Sequence, residues 1–186
     1  YGAKEGAYCE GDLANPINVY GRSKLAGEKV LRETFDKFII IRTGWVFSDK
    51  GKNFVTTMVR LSGKLDLLKV VNDQKGGPTS ASCIARVLLG IANKYLTGHY
   101  IPWGLYHFAG LPIVSWYEFA SEIFNLKDVA IKPELIPCSS SAYPTKALRP
   151  KNSAMSSVLI NDKFGFKACD WRAELSVKGK NEVFKG

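Results

Sequence analysis

Histidine and methionine are scarce in this sequence, with two of each among 186 residues, and the four cysteines stand apart at positions 9, 83, 138 and 169. No C-x-x-C pair and no Cys/His spacing suited to zinc occurs, so a zinc-built domain is excluded. Reduced thiols of a cytoplasmic protein are the expectation for Cys9, Cys83, Cys138 and Cys169. His99 and His107 lie too far apart to form a motif and read as structural. Long apolar runs are missing too. Phe38-Ile39-Ile40-Ile41 and the stretch from Val87 to Ala92 fall far short of the roughly 20 residues a membrane helix needs, so no membrane association is expected. The start, Tyr1-Gly2-Ala3-Lys4-Glu5-Gly6, has neither a signal-like apolar core nor a methionine, which suggests a chain that begins partway through a longer protein.

Acidic residues are in deficit, 17 against 26 lysines and arginines, leaving a formal charge of +9. That balance suits anionic partners such as phosphates or nucleotides, or simply a basic surface. With no run of five basic residues and no stripe of aromatics alternating with Lys/Arg, nucleic acid is not expected as a partner. What is present is ordinary for a folded domain: 46% hydrophobic and 23% charged residues, in a length that accommodates one principal core.

Residues 1–16, with Glu5, Glu10, Asp12 and Pro16, read as surface loop. Helix formers from Ile17 to Phe35, with Leu25, Val30 and Leu31 on a narrow apolar face, predict a helix that Pro16 can open. Phe38 to Thr43 is short, branched and uniformly apolar, so it reads as a buried strand, and a helix feeding such a strand implies an α/β sheet. A short helix over Phe54–Gly63, a strand over Leu67–Val71 and a helix to about Tyr95 capped by Thr79 or Ser80 follow. Gly76-Gly77-Pro78 is expected to need special backbone angles. His107-Phe108-Ala109 reads as a strand end, and Ser115 with Glu118 forms a capping-box pattern for a helix to Phe124. Pro133, Pro137, Ser139-Ser140-Ser141, Pro144 and Pro150 mark a long irregular segment. A last helix from Ala173 gives way to a polar, fraying tail over 178–186.

Tyr20 and Lys24 carry the chemistry. Four residues apart on a helix, they share one face with about 6 Å of rise between them. A phenol that exchanges protons near neutral pH must lose about three units from its ordinary pKa near 10, or about 4 kcal/mol. One ammonium about 4 Å away, at an effective dielectric of about 20, supplies an interaction of that size. Taken alone, the Y-x-x-x-K pair also fits two ordinary surface neighbours.

The surroundings narrow the choice. Pro16-x-Asn18-x-Tyr20-Gly21-x-Ser23-Lys24-Leu25-Ala26-Gly27-Glu28 resembles the active-site helix of the extended short-chain dehydrogenase/reductase family, and most of all its dTDP-4-dehydrorhamnose reductase branch. Arg42-Thr43-Gly44-Trp45-Val46-Phe47, Asn53-Phe54-Val55, Asp73-Gln74-x-Gly76-x-Pro78-Thr79, Ser115-Trp116-Tyr117-Glu118-Phe119-Ala120, Tyr143-Pro144-Thr145, Arg149-Pro150-x-Asn152-Ser153 and Trp171-Arg172 continue the likeness in order, from Tyr8 to Leu175.

The resemblance implies a Rossmann-type parallel sheet over residues 1–47, incomplete and carrying the catalytic helix, followed by a small mixed α/β substrate-binding domain over 48–186. It implies NADPH or NADH as cofactor and a dTDP-sugar as substrate, reduced from dTDP-4-dehydro-L-rhamnose to dTDP-L-rhamnose for surface polysaccharide. Tyr20 would protonate the sugar's C4 oxygen, and Lys24 would hold the nicotinamide ribose and acidify the phenol. Trp45 would pack beside sugar and nicotinamide, though it could equally close the core after the strand. Asn53 would lie near the diphosphate, though it also suits a turn. Arg149 would meet the diphosphate with a two-pronged donor set, or be a solvated loop charge. Gln74 and Thr79 are expected to shape their loop.

The chain departs from the family where a Gly-rich turn should receive the cofactor pyrophosphate. Gly76-Gly77-Pro78 is no substitute, and the family's catalytic Ser or Thr would fall just before Tyr1. Little activity is therefore expected of these residues alone, with weak dTDP binding and poor cofactor binding. Two other readings stay open: a non-catalytic interaction protein on this fold, like the regulatory subunit of methionine adenosyltransferase, and a related epimerase or dehydratase. An open sheet edge makes a homodimer possible.

Overall fold

The computed structural model describes residues 4–126, 129, 131–143 and 145–178; the expected polar tail beyond 178 and Pro144 lie outside them. The chain runs through α1 (Val19–Thr34), β1 (Ile39–Arg42), β2 (Val46–Phe47), α2 (Phe54–Ser62), β3 (Leu67–Val71), β4 (Lys75–Gly76) and β5 (Thr79–Ser80). It continues through α3 (Ala81–Leu96), β6 (Gly104–His107), β7 (Val114–Ser115), α4 (Trp116–Phe124), β8 (Glu134–Cys138), α5 (Val158–Phe164) and α6 (Trp171–Lys178). The α/β class holds, and no described helix is long and apolar enough to cross a membrane.

Two hydrophobic cores organise these elements. In the first, β1 and β6 pair in parallel, Ile39 opposite Gly104 and Arg42 opposite His107, with α3 as the crossover. Alternation sends Ile39, Ile41, Tyr106 and Phe108 to one face, where they meet Cys83, Val87 and Ile91 of α3 and Ile160 and Phe164 of α5. The spacing 83, 87, 91 is the stripe of an amphipathic helix. Arg42, on the opposite face, reaches across to Glu28 of α1. In the second core, Leu68 and Val70 of β3 pack with Met58 of α2, Phe119 and Ile123 of α4 and Trp171 of α6. Trp171 is fully buried, and its indole N–H donates to the Pro112 carbonyl at 2.8 Å.

Each core draws on segments distant in sequence. The first core draws on β1 and on α3, β6 and α5, far beyond residue 47, while Phe47 itself belongs to the second. A parallel pair needs a crossover, so the partner of β1 necessarily comes from later in the chain.

Two expectations change, and the structural reading of His107 holds. The irregular segment contains β8, paired in parallel with β3, with Pro137 opposite Val70; an edge strand tolerates a proline because its outward amide has no ladder partner to lose. Cys83 and Cys169 are joined in a disulfide rather than standing as separate thiols, while Cys9 and Cys138 are free. The packing of α3 against the segment ahead of α6 brings these positions together across 86 residues, an adjacency that sequence spacing does not encode. His107 is buried as a structural residue: its Nδ1 lies 3.1 Å from the Tyr8 carbonyl, and its backbone N–H donates to Glu10 Oε1. Burial pushes its imidazole below the ordinary value.

The Gly-Gly-Pro segment needs closeness rather than unusual angles. A Cβ on Gly77 would sit 2.2 Å from the Gly110 carbonyl oxygen, and one on Gly110 would sit 2.0 Å from the Pro78 oxygen. Two backbones touch there, and neither can yield. Gly77→Ala should therefore cost about 1–3 kcal/mol, read as a lowered denaturation midpoint; an unchanged midpoint would show that the contact relaxes freely.

The capping box at α4 forms as the sequence suggests, with Glu118 accepting from the Ser115 N–H at 2.6 Å and the Ser115 hydroxyl accepting from the Glu118 N–H. The Ser115 amide holds the Glu118 carboxyl below its ordinary range. A lowered carboxyl pKa contributes stability above the unfolded value, about 4.3, and loses it as pH falls through the folded one. Glu118→Gln should lower the melting temperature at pH 7, and the gap from the unsubstituted protein should close below about pH 4.

Candidate active site

The helix α1 begins where Asn18, in extended backbone, accepts the Gly21 N–H on its Oδ1 at 2.8 Å. Pro16 lies two residues ahead of that cap rather than in the first turn. Its ring backs onto Gly21, where a Cβ would come within 2.9 Å of the Pro16 Cβ. Tyr20 and Lys24 follow one turn apart, and both line a cleft of about 610 Å³ between α1 and β1, together with Ile40, Thr43 and Pro150. Tyr20 is 72% exposed, so its phenol is open to a ligand. Thr43 stands just past the carboxyl end of β1, the position where open α/β sheets receive ligands. Its Oγ1 is buried with no hydrogen-bond partner.

Trp45, two residues on, is in left-handed backbone with φ 50°. Its indole lies flat on Trp116, centroids 3.5 Å apart with 6° between planes, and donates to Ser153 Oγ at 3.0 Å. A Cβ on Gly76 would come within 2.5 Å of its ring. Trp45 thus packs at the edge of the second core, as one of its two sequence readings has it.

A second cleft, about 490 Å³, opens beside α2 and β3. Lys52, Lys69 and Arg149 bring three positive charges to it, and Phe54, Trp116 and Tyr143 give it aromatic walls. Asn53 lines it too, but its side chain is committed: Oδ1 accepts from the Thr56 N–H, and Nδ2 donates to the carbonyls of Ser48 and Lys50. It caps α2 and braces the preceding turn. Gln74 both shapes its loop and lines the cleft, donating to Ser140 Oγ at 2.9 Å. Next to it, Asp73 accepts from the Ser140 hydroxyl, which lowers its carboxyl pKa. Thr79 is buried and works only on the backbone of its own loop and of Gly110.

The structure therefore brings Tyr20 and Lys24 to one cleft, Asn53 and Arg149 to its neighbour, and sets Trp45 against the wall of the second. Pro150 faces the first cleft and Arg149 the second. Lys52, Lys69, Trp116 and Tyr143 had no ligand role in the sequence reading. Lys69 carried a usable signal, as the one charge within a Leu-Leu-Lys-Val-Val strand whose alternate residues are buried. Among the described residues no group of three or more His, Cys, Asp or Glu is placed to hold a metal ion.

Comparison with known proteins gives a consistent result. Residues 1–181 match the family described as the RmlD substrate binding domain. The dTDP-4-dehydrorhamnose reductase of Aggregatibacter actinomycetemcomitans is 45% identical over 179 residues, which are 94% of this chain and 60% of that protein. The Escherichia coli K12 enzyme of the same name is 37% identical over 185 residues, 95% of this chain and 60% of the relative. Among solved structures, a dTDP-4-dehydrorhamnose reductase from Clostridium acetobutylicum superposes with a TM-score of 0.86 at 35% identity, covering 95% of this chain and 60% of its own. The Bacillus anthracis reductase, solved in complex with NADP, gives 0.83 at 33% identity with the same coverage. The chain thus spans about 60% of the length of the relatives it matches. On the family match over residues 1–181, the chain belongs to the RmlD substrate binding domain family.

Proposed function

We propose that this chain supplies the proton-donating helix and the nucleotide-sugar cleft of a reductase that converts dTDP-4-dehydro-L-rhamnose to dTDP-L-rhamnose with NADPH or NADH. The observation that carries the reading is the placement of Tyr20 and Lys24 in one cleft at the end of a parallel strand, next to a second cleft holding three cations. A nucleotide-linked sugar has both parts: a carbonyl to be reduced and a diphosphate to be gripped.

The residues present fit the nicotinamide end of the cofactor. A phenol, an ammonium and the orphaned Thr43 hydroxyl meet in the first cleft, a donor set suited to a ribose and a carboxamide. They do not fit the pyrophosphate. Gly76 is closed by the Trp45 ring and Gly77 by the Gly110 carbonyl, so neither leaves room for a phosphate. We assign the pyrophosphate cradle to residues of the kind that the longer relatives have in addition to the matched 60%.

When bound, the reduced nicotinamide supplies a hydride to the sugar's C4. Tyr20 donates its hydroxyl proton to the C4 oxygen as that oxygen gains charge, so the ketone becomes a secondary alcohol and the phenol a phenolate awaiting a solvent proton. Lys24, one turn away, holds the nicotinamide ribose and favours the phenolate by its charge. Trp45 borders the sugar, and its left-handed backbone and flat stacking fix the indole in one orientation. Arg149, with Lys52 and Lys69, faces the diphosphate. Asn53 serves the same site by holding the start of α2 in place. The cytosol is the setting that fits a soluble nucleotide-sugar substrate, and a homodimer would be one way to cover the β1 edge, which has no strand partner other than β6 among the described residues.

Two outcomes test this. In the complete polypeptide, Tyr20→Phe should lower kcat by about 10²–10⁴-fold with KM little altered, since it removes only the proton donor; undiminished turnover would remove Tyr20 from the chemistry. In the 186-residue chain, Arg149→Ala should weaken calorimetric binding of dTDP about 10-fold or more, as loss of a charge-assisted contact does. Equal affinity in the two proteins would place the diphosphate elsewhere.

A further inference from the structure

The loop that carries Arg149 is tied to the catalytic helix by one side chain. Asn18 uses both ends of its amide. Oδ1 accepts the Gly21 N–H at 2.8 Å and so starts α1, while Nδ2 donates to the Leu148 carbonyl at 2.8 Å, across 130 positions of sequence. Among the described residues this is the single long-range hydrogen bond received by the segment 145–150; the other bond within it, from Thr145 Oγ1 to the Ala147 carbonyl, is local. Thr145 to Arg149 are all exposed, so burial does little to hold them. The next anchor comes only at Lys151, whose carbonyl accepts from the Lys75 N–H.

The residue type is informative. Serine, threonine, aspartate and asparagine all cap helices well, because each offers an oxygen to the first turn. Of these, only asparagine pairs that oxygen with an NH₂ group able to donate elsewhere at the same time. Capping alone leaves four choices, and a donor on an atom apart from the capping oxygen, with the reach to Leu148, leaves one. The two clefts meet at this point, with Pro150 on the first and Arg149 on the second.

We propose that Asn18 is a positioning residue that sets the spacing between the proton donor and the diphosphate grip, holding Arg149 to the helix that carries Tyr20 and Lys24. The inference rests on the reading of the second cleft as the diphosphate site. A ligand that spans both clefts gains from this spacing, because fixing the two contacts beforehand removes the loop-ordering cost from binding. Asn18 also lines the first cleft, but both ends of its amide are taken up by the protein, and its effect passes through Arg149.

Asn18→Ser and Asn18→Asp separate the two duties, since both keep a capping oxygen and both lose the amide donor. In the 186-residue chain, peptide-resolved hydrogen exchange over residues 145–151 should quicken in both variants while α1 keeps its protection and the melting temperature stays within a few degrees. Unchanged exchange over 145–151 would overturn the tether. Calorimetric titration with dTDP supplies the second arm: Asn18→Ser should weaken binding about 3–10-fold, and should add nothing in an Arg149→Ala background, as expected when one residue acts through the other. Full dTDP affinity in Asn18→Ser beside a weakened Arg149→Ala would sink the inference and leave the cleft reading standing. Equal affinity in Arg149→Ala and the unsubstituted chain would instead sink the cleft reading and with it the ligand half of this inference, leaving the tether to be decided by exchange.

Discussion

The fork between Arg42 and Glu28 is the contact on which the geometry of the candidate site depends. Within this chain helix α1 spans sixteen residues without one buried side chain, so the contact that orients it on β1 here is polar. Arg42 of β1 donates through Nε and a terminal nitrogen to the two carboxylate oxygens of Glu28 at 2.8 and 2.6 Å. Both side chains are only 16% exposed, so the pair is better shielded than a surface ion pair, which contributes about 0–1 kcal/mol. A two-pronged bond also fixes direction, which a single lysine contact would not. Since Glu28 lies one turn beyond Lys24 and two beyond Tyr20, the fork sets where those side chains stand over the end of β1. With Asn18 at its start, α1 is held by polar contacts at its N-terminus and at its middle.

A helix held this way suits the seam between two cores. The first core is built around β1 and β6 and the second around β3, and the chain passes between them more than once. Trp45 shows what the seam demands. It follows the strand of the first core, stacks on a residue that begins α4 in the second, and is enclosed by Gly76 and Ser153 from two other segments. Its left-handed backbone is unusual for so large a residue and is held by those surroundings. The candidate site is thus assembled from segments distant in sequence, and the rigidity of each core is what makes their meeting reproducible.

What could be read in advance follows from this construction. Helix α1, strands β1 and β3 and the capping box of α4 were legible because periodicity, branched residues and cap chemistry act over a few positions. The Tyr20–Lys24 pair was legible for the same reason, since one helical turn fixes its spacing. The partner of β1, the pairing of β8 with β3 and the bond between Cys83 and Cys169 were not, because each joins positions far apart, and Pro137 even argued locally against a strand. Asn53 had two local readings, turn residue and ligand neighbour. Only the hydrogen bonds of its side chain reveal that it braces the turn while lining the cleft.

The positive charge of the chain can now be located. A net +9 spread over a surface favours anions in general and gives no address. Lys52 lies ahead of α2, Lys69 on β3 and Arg149 in a late loop, and nothing in their sequence spacing groups them; the fold alone turns them toward one cleft. Like charges gathered in one place repel, and the arrangement raises the energy of the empty site relative to one that holds an anion. An anion bound there would relieve that repulsion, a contribution that salt screens, in contrast to contact with the aromatic walls. Arg149 is exposed and shares its cleft with Lys52 and Lys69, and the bond that Asn18 makes to the preceding residue restrains the loop that carries it.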